Sequence, residues 1–302
     1  MTSGNQGEIP GTNSKPLEKL NTLNHSVAVG ADIGGSHITT ALIDLENRAL
    51  IAGSYYRTHI DANGSAEDII RNWAEVIRKS MAAATGTYKI GIAMPGPFDY
   101  EKGISFITGL HKYESLYGLN VKDLLAVALQ IQPQHIKMAN DASCFLRGEL
   151  FGGAVKGELN VTGLTLGTGF GSAIAENGIV RDGSYFDLPF LEARAEDYFC
   201  SRWLVKRYHE LSGRQVANVK EITLSSDIYT TTVFHEFGIN LALFLSTLDK
   251  VPERVLLGGN IAQTYQLFNP GLQEGLNEKG LNISFVLSTL DENAALLGAV
   301  TI

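Results

Sequence analysis

Cysteine is nearly absent: Cys144 and Cys200 are the only two in 302 residues, and neither has a cysteine or histidine at metal-ligand spacing. That excludes a disulfide framework and a zinc cluster, and the usage fits a reducing cytoplasm. A basic excess is missing too. Lys plus Arg number 24 against 32 Asp plus Glu, a net charge of −8, which removes the basic patch that nucleic acid requires. Long apolar runs are also lacking. The longest candidate, Leu241–Leu248, is interrupted by Ser246 and Thr247 and falls well short of the roughly twenty residues of a membrane span. A soluble protein with no membrane partner is expected. Met1–Asn24 has neither the apolar core nor the cleavage signature of a secretory signal, and its Ser, Gly, Asn, Thr and Pro predict a disordered tail over 1–25. The phosphate loop GxxxxGK[ST] is not present either.

What is present begins at Val27–Asp44, VAVGADIGGSHITTALID. An apolar run ends at Asp32, Gly34-Gly35-Ser36 follows, and β-branched alternation resumes from His37 to Ile43, which predicts strand, glycine turn, strand. Paired glycines bend with positive φ and offer bare N–H groups to an anion, while the neighbouring carboxylate can hold a cation. Asn160–Leu166, Gly167-Thr168-Gly169-Phe170-Gly171 and Ser172–Ala175 repeat this architecture with little shared sequence, so a duplicated fold is expected. At this length two α/β domains are the better prior.

Between and after these copies the pattern alternates. Arg48–Ile60 reads as a third strand, Ser65 as the cap of a long amphipathic helix carrying Ile69, Ile70, Trp73, Val76, Ile77 and Met81, and Lys89–Met94 as a buried strand stopped by Pro95-Gly96-Pro97. Leu119–Leu129 is helical, and His135–Met138 is a strand that delivers Asn140 and Asp141 before a helix from Ala142. Ala195–Leu211 predicts a helix closed by Gly213, and Ser226–Lys250 contains a longer one. Pro252–Leu257 is a strand, Gly258-Gly259-Asn260 opens a helix from Ile261, Ile283–Leu287 is the last strand and Asn293–Val300 the last helix.

Three constellations bear chemistry, and each has a plain structural reading beside it. Asp32 with its glycines is either a β-turn with a surface acid or half of a phosphate site, with Asp32 binding magnesium through water. Asn140-Asp141 is either a helix cap or, at the carboxyl edge of the sheet, the acceptor of a hydroxyl proton in phosphoryl transfer. Gly258-Gly259-Asn260 is either a strand-to-helix turn or a close approach for an adenine or ribose.

Together these segments resemble the ROK family of sugar kinases and regulators, within the sugar kinase, Hsp70 and actin superfamily. The likeness runs from about Val27 to Ala299 through GADIGGSHITTALID, GIAMPGPFD, MANDASCFLRGE, LTLGTGFGSAI and VLLGGNIA in the family's order. It implies a two-domain actin-like ATPase fold, duplicated and ribonuclease H-like, with a cleft between the domains. We expect an N-terminal domain over 26–134, joined by the last helix at 292–302, and a C-terminal domain over 135–291. The resemblance further implies ATP-dependent phosphorylation of a hexose or N-acetylhexosamine hydroxyl. Asp141 is then the base, and Asp32, Gly34, Gly35, Ser36, Gly167, Thr168 and Gly169 handle Mg-ATP phosphates. Gly258, Gly259 and Asn260 border the adenosine, and a homodimer is expected.

The sequence departs from the family around the sugar. Most members carry a Gly-His pair and a CxCGxxGCxE segment that holds a structural zinc, whereas Gly183–Tyr198, GSYFDLPFLEARAEDY, has no His and no Cys, so no zinc is expected. Glu196 matches the acid that ends the family's motif, and Asp187 or Glu192 is a candidate for the other sugar-binding acid beside Asn140 and Asp141. The family's Asn-Leu sugar pair reads Gly109-Leu110, and Ser36 stands for a Thr. The alternative is a kinase-like sugar-binding or regulatory protein with little turnover. The helix-turn-helix domain of ROK repressors is not expected, because only the polar tail precedes Val27.

Overall fold

The computed structural model describes residues 27–83 and 89–302; the expected tail lies outside them. The first hairpin forms as its alternation requires, β1 (Val27–Ile33) pairing antiparallel with β2 (His37–Asp44). The expected third strand over 48–60 is split into β3 (Ala49–Leu50) and β4 (Tyr56–His59). Gly53 at φ +79° turns the chain, and the buried Ser54 hydroxyl accepts the Leu42 amide at 2.9 Å where a strand carbonyl would have stood. Helix α1 (Ala66–Met81) starts at Ser65, whose side chain accepts the Asp68 amide, and buries Ile69, Ile70, Trp73, Val76 and Ile77.

Strand β5 (Lys89–Met94) runs parallel to β1. The short hairpin of β6 (Phe98–Asp99) and β7 (Ile104–Ser105) precedes α2 (Val121–Leu129), and β8 (Ile136–Asn140) then runs parallel to β5. This corrects the expected boundary: 136–140 belongs to the first sheet, whose order is β3-β2-β1-β5-β8, and not to a domain starting at 135. Helix α3 (Asp141–Gly152) leaves that sheet and leads to β9 (Val161–Leu166), β10 (Phe170–Glu176) and β11 (Ile179–Asp182). The hairpin of β12 (Pro189–Phe190) and β13 (Ala193–Arg194) follows. Helix α4 begins later than expected, at Ser201–Ser212, because Ser201 ties its amide and hydroxyl to the Gly167 carbonyl; Gly213 closes it at φ +70°. Then come α5 (Val219–Ser225), α6 (Ile228–Ser246), β14 (Arg254–Gly258), α7 (Tyr265–Glu278), β15 (Ser284–Leu287) and α8 (Ala294–Ala299).

The second sheet has the order β11-β10-β9-β14-β15, with an antiparallel hairpin and then two parallel neighbours, which is the plan of the first sheet. The duplication is therefore one of topology, and the two glycine turns sit at equivalent corners. The fold is the two-domain actin-like α/β class.

Each sheet buries one face outward, the first under α1 and α2, the second under the aromatic cluster of Phe199, Phe234, Phe237, Phe244 and Phe268. The other two faces enclose α3 and α8. These helices touch backbone to backbone: a Cβ on Gly298 would lie 1.7 Å from the Cys144 carbonyl oxygen, and one on Gly148 would lie 1.9 Å from that of Ala294. Gly298→Ala is therefore expected to lower stability by about 1–3 kcal/mol, read as a lower urea midpoint. An unchanged midpoint would show that the helices separate at no cost.

Candidate active site

Strand alternation decides which way Asp32 faces. Val29, Ala31 and Ile33 enter the core under α1, so Gly30 and Asp32 turn to the opposite face, where a Cβ on Gly30 would meet the Leu296 carbonyl of α8 at 2.4 Å. Asp32 ends half-buried beneath the cleft without a side-chain hydrogen bond among the described residues. Burial, and then the like charge of Asp141, push its carboxyl up to about 7; Arg57 opposes this and Glu292 adds to it. Arg57 on β4 is itself paired with Glu292 ahead of α8.

The first glycine turn closes through the Gly34 amide on the His37 carbonyl at 2.9 Å, and the second through the Gly167 amide on the Gly169 carbonyl at 3.1 Å. The amides of Gly35 and Ser36, and those of Thr168 and Gly169, donate to no group among the described residues. Two turns with free N–H groups, each joining the strands of an antiparallel hairpin, make anion-binding concavities. The Ser36 hydroxyl lies 2.9 Å from His37 Nδ1, and exposed Thr168 makes no side-chain hydrogen bond among the described residues. Asn260 reaches the second turn: its Oδ1 would be 3.2 Å from a Cβ on Gly167. Gly258 and Gly259 have packing reasons of their own, since a Cβ there would strike the Phe145 ring at 2.3 Å and the Leu166 carbonyl at 2.3 Å, and Gly259 adopts φ +86°.

At the edge of the first sheet the capping role goes to Asn140, whose Oδ1 accepts the amides of Ala142 at 2.9 Å and Ser143 at 3.3 Å. That leaves Asp141, the first residue of α3, with one bond, from the Ala142 amide at 2.9 Å. Its carboxylate opens to cleft water on one side and is walled by protein elsewhere. Burial raises its pKa; the Ala142 amide and Lys112 counter this, and Asp182 adds to it. The open side keeps the rise smaller than full enclosure would give. Tyr100 donates to the Met94 carbonyl at 2.9 Å and takes a long 3.5 Å contact from Asn140 Nδ2, which orients the cap.

Of the acids beyond β11, Glu196 reaches the second turn, accepting the Phe170 amide at 3.4 Å and facing Arg202 at 3.4 Å. Asp187 and Glu192 do not join the cluster. Asp187 is exposed and pairs with Arg194 at 3.5 Å, and Glu192 sits exposed in the two-residue turn between β12 and β13 with no side-chain hydrogen bond among the described residues. Asp182, at the end of β11, accepts the Ser184 amide at 2.8 Å and lies near enough for its charge to be felt at Asp141 and Tyr100. Asp182, Tyr100, Lys112 and Tyr113 carry no sequence signal of their own, because only the folded chain brings them to the cleft.

Among the described residues no group of three or more His, Cys, Asp or Glu gathers to hold a metal. The available donor is the single Asp32 carboxylate, which fits magnesium, a cation usually held by one or two carboxylates together with water and substrate phosphates.

The curated relatives agree in extent. A glucokinase from Thermotoga maritima is 26% identical, the alignment covering 91% of this chain and 96% of that protein. An N-acetyl-D-glucosamine kinase from Histophilus somni is 25% identical over 79% of this chain and 85% of its own. Among solved structures, a ROK family glucokinase from Streptomyces griseus in complex with glucose and AMPPNP superposes with a TM-score of 0.71 at 19% identity, covering 91% of this chain and 98% of that one, a likeness of fold. The model of the ROK family matches residues 28–185, just over half of the chain, and the protein belongs to that family.

Proposed function

We propose that the protein is an ATP-dependent sugar kinase acting on a hydroxyl of a hexose or N-acetylhexosamine. The observation that carries this reading is the pairing of two glycine turns, each with free amides, with a carboxylate at a helix start that capping does not consume. Gly35, Ser36, Thr168 and Gly169 hold the donor phosphates through their backbone N–H groups, and Asn260 guides the nucleoside side of the second turn. Asp32 orients magnesium through water, and the metal, when bound, neutralises charge on the phosphates.

Asp141 accepts the proton of the sugar hydroxyl as its oxygen forms a bond to the terminal phosphorus, and the bond to the departing ADP oxygen breaks. A carboxylate whose pKa is raised by its surroundings is a stronger proton acceptor than an ordinary aspartate. Tyr100 and Asn140 fix the strand end that presents Asp141, and Asp182 replaces Asp187 and Glu192 as the second acid facing the sugar.

Coupled ADP release measured with glucose, fructose, mannose, N-acetylglucosamine and N-acetylmannosamine tests the reading. At least one sugar is expected to raise ADP release well above the rate without sugar. Mg-ATP binding without stimulation by any of them would favour the sensor alternative.

A further inference from the structure

The loop after β7 holds a cation that the mechanism above does not use. It is an unusual piece of chain: Gly109, His111 and Tyr113 have φ of +68°, +53° and +56°, and two of the three are not glycine. Non-glycine residues enter that region at a cost that surrounding structure must over-determine. Here it does. The Tyr113 amide donates to the Ala62 carbonyl at 2.7 Å, its ring meets Trp73 edge-on at 5.2 Å, and its hydroxyl donates to the carbonyl of Gly34. The His111 amide is taken by Glu114 at 3.2 Å.

This clamp delivers the residue between the two left-handed positions. Lys112 is half-buried, and its Cδ lies 3.5 Å from where a Cβ on Gly35 would stand. Among the described residues its ammonium forms no ion pair and no hydrogen bond, unlike those of Lys102, Lys122, Lys206 and Lys250. The anchored backbone thus sends the Lys112 side chain alongside a turn with two free amides. Its charge also reaches Asp141, where it works against the effect of burial.

We propose that Lys112 contacts the terminal phosphoryl group of the donor nucleotide and neutralises its charge during transfer. The Lys112 side chain runs beside the turn that carries the Gly35 and Ser36 amides and its charge is felt at Asp141, so the cation acts where negative charge spreads over the equatorial oxygens. The inference rests on the sugar kinase reading, and nucleotide binding tests it without a sugar.

The full chain is titrated by calorimetry with Mg-AMPPNP and with Mg-ADP, as wild type, Lys112→Met and Lys112→Arg. Losing one charge-assisted contact to the γ-phosphate is expected to weaken Mg-AMPPNP binding to Lys112→Met about 10- to 100-fold, with Mg-ADP affinity nearly unchanged and Lys112→Arg recovering most of the loss. In turnover, Lys112→Met is expected to lower kcat with little change in KM for the sugar. An unchanged ratio of the two nucleotide affinities in Lys112→Met overturns the inference and leaves the kinase reading standing. Failure of the wild-type chain to bind either nucleotide overturns the reading of the glycine turns, and this inference with it.

Discussion

Asp141→Asn is expected to lower sugar phosphorylation by a factor of about 10²–10⁴, the usual contribution of a positioned general base, while Mg-ATP still binds. Asparagine has nearly the shape of aspartate and leaves the cap in place, because Asn140 accepts both the Ala142 and the Ser143 amides and Asp141 shares only the first. What it removes is the ability to take a proton. Burial and Asp182 hold the Asp141 carboxyl above the ordinary range, so the wild-type enzyme is expected to lose kcat/KM on acidification at a higher pH than an ordinary aspartate base would. The residual activity of Asp141→Asn should lack that part of the profile. Turnover in the variant within about threefold of wild type would assign the base elsewhere.

Asp32→Asn is expected to act in opposite directions on activity and on stability. Removing the carboxylate takes away the one acidic donor for magnesium near the first turn, and activity should fall by at least about tenfold. The unliganded fold should nevertheless become more stable at neutral and alkaline pH. The folded state holds the Asp32 proton up to about pH 7, whereas the unfolded chain releases it near 3.8. Ionising Asp32 therefore costs stability as pH rises through that window, and asparagine, which does not ionise, escapes the cost. The gain is on the order of 2–4 kcal/mol above pH 7 and vanishes below about pH 4. Melting curves of both proteins at pH 4, 6 and 8 measure it; a variant less stable than wild type at pH 8 contradicts the burial account.

The hairpins were legible in the sequence because strand period, paired glycines and the return of β-branched residues are all local signals. The same holds for α1, whose serine cap and apolar face specify it without help from the rest of the chain. Strand β8 was legible as a strand but not as a member of the first sheet, since a parallel partner more than forty residues away leaves no local trace. The break at Gly53 was missed for a similar reason: it depends on the Ser54 hydroxyl finding the Leu42 amide.

The candidate sugar acids show where local reading stops. Asp187 and Glu192 share a segment with Glu196, yet Arg194 and a surface turn hold the first two outward, while the 3-10 turn Ala195–Asp197 ahead of α4 carries the third to the glycine turn. Lys112 had no signature at all, because a lysine in a polar loop is ordinary until Tyr113 anchors that loop to Gly34.

The central claim is that a phosphoryl group moves from ATP to a sugar and not to water. Label in the γ-phosphate, followed after incubation with magnesium and the sugar that most stimulates ADP release, tests it most directly. The account predicts one labelled sugar phosphate for each ADP formed and almost no free phosphate; label that appears only as free phosphate, or that stays in ATP with every sugar, would contradict it.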